Sequence, residues 1–162
     1  MPRLGPGGND MLILRHASAG ERLSSASLDR ARRLDRIGRA DARLLPESFA
    51  SFEIDRIVSS PHARCTETVR ALGLARGIRV DEREELGPRA SAEETLALLE
   101  SLPESALACT HREVFQRLFG DDVTCEKGAA WVVEHRDGRH LPVAYLPSPT
   151  SQERTAARSA VV

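Results

Sequence analysis

Residues 11–14, MLIL, run straight into Arg15 and His16. Two other apolar stretches end in the same manner: IDRIVSS (54–60) leads into Pro61, His62, Ala63 and Arg64, and SALACT (105–110) leads into His111. A buried run rarely closes on side chains so costly to take out of water. Taken together, Arg15, His16, Arg64 and His111 are two guanidiniums and two imidazoles with no metal-ligating carboxylate beside them. A dianion suits such a set, and phosphate suits it best, because arginine forks bind phosphate oxygens through paired, charge-assisted hydrogen bonds. A neutral imidazole can attack phosphorus and hold the phosphoryl group covalently. Neighbouring cations lower the imidazole pKa and keep it neutral near pH 7. Beyond that, phosphoryl transfer asks mainly for positioning and charge stabilisation.

The chain must bring these residues together from distant positions. Short apolar runs alternate with helical spacing. Leu34, Ile37, Ala40, Leu44 and Leu45 predict a helix over 34–49 with arginines on its other face, ended or bent at Pro46. A helix over 62–76 closes at Gly77. Ser91 with Glu94 forms a capping-box pattern for a helix at 92–102, and REVFQRLFG is helical after the 105–110 strand. Residues 17–31 and 81–90 read as loops, with a short extended piece around Ile78 and Val80. AAWVVEH and RHLPVAYL predict a closing hairpin around Asp137-Gly138. Strands alternating with helices give an α/β domain with a mostly parallel sheet. Ligands in such sheets bind beyond the carboxyl ends of the strands, which is where all three motifs fall. The expected organisation is a flexible N-terminal tail at 1–9, one domain at 10–147 and a polar C-terminal tail at 148–162.

Composition narrows the classes. The 162 residues carry a formal net charge of −1 with 4% aromatic content, which argues against a nucleic-acid partner. No apolar stretch approaches the roughly 20 residues of a membrane helix, so no membrane partner is expected. Cys65, Cys109 and Cys125 are an odd, dispersed set, neither a disulfide framework nor a zinc knuckle; the expectation is a reduced, cytoplasmic protein. The positive charge is almost all arginine, Lys127 being the only lysine.

LILRHASAG, SSPHARCTET and ALACTHREV, in this order and spacing, resemble the histidine phosphatase (phosphoglycerate-mutase-like) superfamily, whose usual forms are Arg-His-Gly, Ser-Ser-Pro-x-x-Arg-x-x-Gln-Thr and Thr/Ser-His segments. The resemblance spans about residues 11–146. The compact length and RARRLDRIGRADA look most like small bacterial phosphohistidine phosphatases of the SixA type, and KGAAWVVEHRDGR is also similar to the phosphatase-like domain fused to some actinobacterial Nudix hydrolases. The resemblance implies a three-layer α/β/α sandwich and a phosphatase needing neither metal nor cofactor. In it His16 is the nucleophile, Arg15 and Arg64 clamp the phosphoryl oxygens, and His111 donates to the same group. Arg32, in a segment like the family's Arg-Pro-Leu, lines the entrance.

The pattern departs from the family at several positions. Ala17 stands for glycine, which the turn tolerates if its φ is negative. Glu67 stands for glutamine. Arg112 follows the second histidine where glycine is usual, and either reaches the pocket or points outward. The glutamate that many members carry in the loop at 82–90 is missing: Leu86 is followed by Gly87 and Pro88. Glu84 and Glu85 lie nearby, and Glu85 is the candidate acid. A general acid contributes about 10²–10⁴-fold when the leaving group is poor. Its loss favours phosphohistidine or anhydride substrates over alkyl phosphates. The partner expected is a phosphorylated protein or a small phosphorylated substrate, and the oligomeric state is left open. Rival readings are a nucleotide or small-metabolite phosphatase, or a phosphate-binding module without turnover.

Plainer readings cover the remaining residues. His62 is an exposed residue, His135 and His140 face each other at the surface, Cys65 and Cys109 are packing groups, and the arginines of 30–43 with Asp29, Asp35 and Asp41 form a solvated face.

Overall fold

A computed structural model describes residues 10–160, with side chains to 157; the expected tail at 1–9 lies outside the described residues. The strands are β1 (Asp10–Arg15), β2 (Arg56–Ser59), β3 (Val80–Glu82), β4 (Ala106–Thr110), β5 (Ala130–Arg136) and β6 (Arg139–Leu146). The helices are α1 (Ala26–Arg30), α2 (Arg36–Ser48), α3 (Ala63–Arg76), α4 (Ala92–Ser101), α5 (Arg112–Phe119) and α6 (Pro149–Ala160), with a single 3-10 turn at Glu84–Leu86.

The sheet order is β3-β2-β4-β1-β5-β6. The first four strands in that order are parallel, and β5 and β6 close the edge as an antiparallel pair. Alternation along β1 sends Met11 and Ile13 to one face and Leu12 and Leu14 to the other. Both faces are covered, so β1 reads as a continuous apolar run, as buried parallel strands do. Leu98, Leu99 and Phe115 of α4 and α5 cover the first face; Leu45, Val69 and Leu72 of α2 and α3 cover the second. The result is the three-layer α/β/α sandwich with a mostly parallel sheet.

Most local signals act as the sequence predicts. Gly77 ends α3 at φ 66, and Ser91 Oγ accepts the amide of Glu94 at 3.1 Å. Asp137 and Gly138 both take positive φ, 53 and 73, as a tight hairpin turn requires.

Four expectations need correction. Residues 26–30 of the expected loop form α1, capped by Ser25. The polar segment after 148 is the helix α6, whose Thr150 amide donates to the buried Asp41 carboxylate at 2.9 Å. Pro46 lies inside α2 near its end, where its missing N–H removes one bond and the helix runs on to Ser48. The inward stripe of α2 is Gly38, Asp41, Ala42 and Leu45, while Ile37 is exposed. The apolar pattern failed there because the buried face needs a glycine and a carboxylate: a Cβ on Gly38 would lie 2.0 Å from the Ser18 carbonyl oxygen.

Candidate active site

The three polar strand ends meet because the register levels them. Arg15 pairs with Thr110 across β1–β4, and Ser59 with Cys109 across β2–β4. The register therefore sets His16 level with His111, and Ser60 one residue back, level with Thr110. The ladder continues one step further, His16 N–H donating to Thr110 O and Ser60 N–H to Cys109 O, each at 3.0 Å.

His16 is buried, and its Nδ1 lies 2.8 Å from the carbonyl of Ala17. That carbonyl can only accept, so Nδ1 carries the proton and Nε2 keeps its lone pair. Burial lowers the His16 pKa to about 3; the bond to Ala17 opposes the shift, and Arg64, Arg15 and Arg32 add to it. The ring is thus neutral at neutral pH, with its lone pair on Nε2. Ala17 has no positive φ, since Asp137 is the only non-glycine among the described residues that does; its amide donates to Thr68 Oγ1 at 3.0 Å.

The His111 ring stands 5.4 Å from that of His16, at 63°. Its Nε2 is 2.8 Å from Ser60 Oγ, and its Nδ1 is 3.4 Å from Arg64 Nη2. The guanidinium can only donate, so Nδ1 accepts and Nε2 holds the proton. Burial, and then His16 and Arg64, push the His111 pKa far down.

Arg64 projects from the first turn of α3, where the chain leaves β2. It is buried, its Nη1 donates to the Asp29 carbonyl at 2.9 Å, and Nη2 lies 3.5 Å from the Asp29 carboxylate. Arg15 Nη1 donates to Cys125 O at 2.8 Å. The Nε atoms of both arginines are buried without a partner. Two orphaned guanidinium donors beside an imidazole lone pair are what an oxyanion would satisfy.

A cavity of about 620 Å³ shares Arg64 with the cluster and is lined also by His62, Asp29, Arg30, Glu84, Arg89 and Glu113, while Arg15, His16 and His111 lie outside its lining. Each carboxyl in this wall is held below its ordinary range. Arg30 does this for Glu84 through a direct hydrogen bond. At Asp29 burial alone would push the pKa up, and the Leu23 amide with Arg64 and Arg32 outweighs it. At Glu113 burial is likewise outweighed, by its own amide and by Arg22 and Arg15. None keeps a proton to donate near neutrality.

The remaining expectations divide. Arg32 is not among the residues that line the cavity; it donates to Asp29 at 3.0 Å and to the carbonyls of Ala19 and Gly20, bracing the turn after His16. Glu85 turns to Arg83 at 2.9 Å, while its neighbour Glu84 lines the cavity. Arg112 is exposed, and Glu67 pairs with Arg33 at 2.9 Å. Cys65 and Cys109 are fully buried packing groups. The presumed solvated face is in part structural: Asp35 caps α2 and also accepts from Ser18 Oγ at 2.6 Å, Asp41 is buried, and Asp29 anchors Arg64. His62 is half-buried against His111, with ring centroids 4.8 Å apart. The signal for Asp29 was its position three residues before Arg32; Ser60 and Thr68 were inside the quoted motif. Among the described residues no group of three or more His, Cys, Asp or Glu is placed to hold a metal ion, and no helix is long and apolar enough to cross a membrane.

A sheet-end cluster of two arginines and two histidines has the chemistry to hold a phosphate. Residues 11–91 match the model of the histidine phosphatase superfamily (branch 1), and the chain belongs to that superfamily of phosphate-hydrolysing enzymes. The 8-oxo-(d)GTP phosphatase of Mycolicibacterium smegmatis is 27% identical over 157 residues, covering 86% of this chain and 48% of its own. The chain thus spans about half the length of that curated relative. Among solved structures, the protein histidine phosphatase SixA complexed with tungstate has a TM-score of 0.72 at 22% identity, covering 88% of this chain and 99% of that one. A mycobacterial glucosyl-3-phosphoglycerate phosphatase complexed with VO3 has a TM-score of 0.67 at 15% identity, covering 86% and 99%. At these identities the structural likenesses establish the fold.

Proposed function

We propose that the protein is a metal-independent phosphatase that works through a phosphohistidine on His16, with phosphohistidine as its preferred substrate. One observation carries the mechanism: the bond from His16 Nδ1 to Ala17 fixes the tautomer whose Nε2 lone pair is free, on a ring that feels the charges of Arg64 and Arg15, each with an unpartnered Nε. The phosphoryl group enters with its oxygens on Arg15 and Arg64, and His111 holds Arg64 through Nδ1. Nε2 attacks phosphorus, the bond to the leaving atom breaks, and that atom takes the electron pair. Water then attacks the phosphohistidine, Nε2 recovers its pair, and inorganic phosphate leaves.

The substrate preference rests on the ionised state of the cavity's carboxyls. An alkoxide leaving group needs a proton, whereas the imidazole of phosphohistidine needs one much less. The overall likeness to SixA, over nearly the whole of both chains, agrees with this reading. A second reading, a nucleotide phosphatase, is favoured by the similarity to the 8-oxo-(d)GTP phosphatase. A panel of phosphohistidine protein, nucleoside di- and triphosphates and phosphosugars, run in the presence of chelator against wild type and His16→Ala, tests both. Preference for phosphohistidine or for the nucleotides selects between them, and a strong preference for the sugar phosphates overturns the leaving-group argument. Loss of activity on chelation removes metal independence.

A further inference from the structure

The rings of His16 and His62 both pack against that of His111. His16 and His111 have centroids 5.4 Å apart, and His111 and His62 are 4.8 Å apart at 77°. The rings of His16 and His111 are committed: His16 Nδ1 to Ala17 O, His111 Nε2 to Ser60 Oγ and His111 Nδ1 to Arg64. His62 is not. It occupies the N-cap of α3, where a short oxygen-bearing side chain normally accepts a helix amide, yet its side chain makes no cap bond. Its Nδ1 is buried with no partner, and the residue lines the 620 Å³ cavity together with Arg64.

The second half of the proposed reaction needs a base. A phosphoryl group on His16 must be attacked in line, from the side away from the imidazole, and the attacking water must lose a proton. The cavity's carboxylates are engaged: Asp29 with Arg64 and Arg32, Glu84 with Arg30 at 2.7 Å, and Glu113 with Arg22 at 2.7 Å.

We infer that His62 is a further catalytic residue, the general base that activates water for hydrolysis of the phosphohistidine; this rests on the phosphohistidine reading above. The ring's lone pair takes one proton from water as the oxygen bonds to phosphorus. The P–Nε2 bond breaks and its electron pair returns to His16. The imidazolium of His62 then gives the proton to the departing phosphate, which restores the enzyme. Burial, and then Arg64 and Arg30, lower the His62 pKa to about 4 against the opposing charges of Asp29 and Glu84, so the base is unprotonated at neutral pH. The negative phosphoryl group raises its basicity at the moment it is needed.

Rapid-quench kinetics with an aryl phosphate, following both phenol release and labelled phosphate on His16, tests this in wild type and His62→Asn. Asparagine is a good N-cap, so the variant keeps α3. Hydrolysis of the intermediate should slow by about 10²-fold. The phosphorylation step should slow far less, giving a burst of phenol and a higher occupancy of labelled His16. His62→Ala should recover hydrolysis in added imidazole. A purely structural role would slow both steps together and leave occupancy and rescue unchanged, and that result overturns the base. Absence of label on His16 in wild type and variants alike would instead remove the phosphohistidine reading itself.

Discussion

At the carboxyl ends of the parallel strands, the rings of His16 and His111 lie 5.4 Å apart; at the opposite end of the sheet, across the β5–β6 hairpin, those of His135 and His140 lie 4.6 Å apart. The second pair is the tighter, and it also borders a cavity, of about 450 Å³. What separates the two ends is commitment of the ring nitrogens. His16 and His111 have tautomers fixed by Ala17, Ser60 and Arg64, and two guanidiniums face them with unpartnered donors. His135 and His140 are cross-strand neighbours, placed opposite each other by the register, with His135 exposed. Proximity of imidazoles is a by-product of a hairpin; a reactive centre needs neighbours that set which nitrogen is free and what charge it meets.

The comparison breaks most sharply at His16. His16→Ala should lower turnover by more than about 10³-fold and abolish labelled phosphate on the protein, since the nucleophile itself is removed. Arg64→Ala should cost roughly 10²–10³ in kcat, the range for one preorganised donor in an anion hole. Arg64→Lys should recover little of it, because a single ammonium cannot serve the Asp29 carbonyl, the Asp29 carboxylate and a phosphoryl oxygen together. Asp29→Ala should follow at roughly ten- to a hundredfold, by letting Arg64 and Arg32 drift. Its Arg64 remains, so kcat should fall more than KM rises.

Acid should separate the two ends next. The folded-state pKa of His16, about 3, lies below its ordinary 6.5, so between those values the unfolded chain binds more protons. Stability contributed by neutral His16 is full above pH 6.5 and is lost as pH falls toward 3; His111 shifts in the same direction. Urea midpoints measured from pH 7 to 4 should fall, and His16→Asn should flatten that slope. A rise in midpoint on acidification would contradict the burial of neutral rings at the strand ends.

How much of this was legible follows from what each residue interacts with. The strand ends were readable because Arg15-His16, Arg64 and Thr110-His111 interrupt apolar runs, a local contradiction that only a shared site resolves. The Asp137-Gly138 turn was readable because its backbone angles exclude most other residues. The roles of Asp29, Asp35 and Asp41 were not, since each looks like one charge of a solvated helix face until its partner arrives from elsewhere: Arg64 from α3, Ser18 from the loop after β1, Thr150 from α6. The stripe of α2 was misread for a related reason. Gly38 and Asp41 carry no hydrophobic signal, and they face inward because a carbonyl and a helix terminus pack there. Which of the adjacent Glu84 and Glu85 lines the cavity was not legible either, because the 3-10 turn at Glu84–Leu86 decides it.

The smallest effects belong to the hairpin, and they sharpen the comparison by staying small. His135→Ala and His140→Ala should each leave kcat and KM at wild-type values and change stability by no more than about 0.5 kcal/mol, as surface substitutions do. Burial, and then the neighbouring His135, lower the His140 pKa, so the contact between the two rings carries repulsion as well as packing. The double variant should therefore be additive within about 0.5 kcal/mol. His16 and His111 should behave in the opposite manner. Their rings lie 5.4 Å apart, both beside Arg64, so the catalytic losses of His16→Ala and His111→Ala should fall far short of adding, as for residues that act as a unit. Additive losses at the strand ends, or coupled ones at the hairpin, would reverse the assignment of which histidine pair is the site.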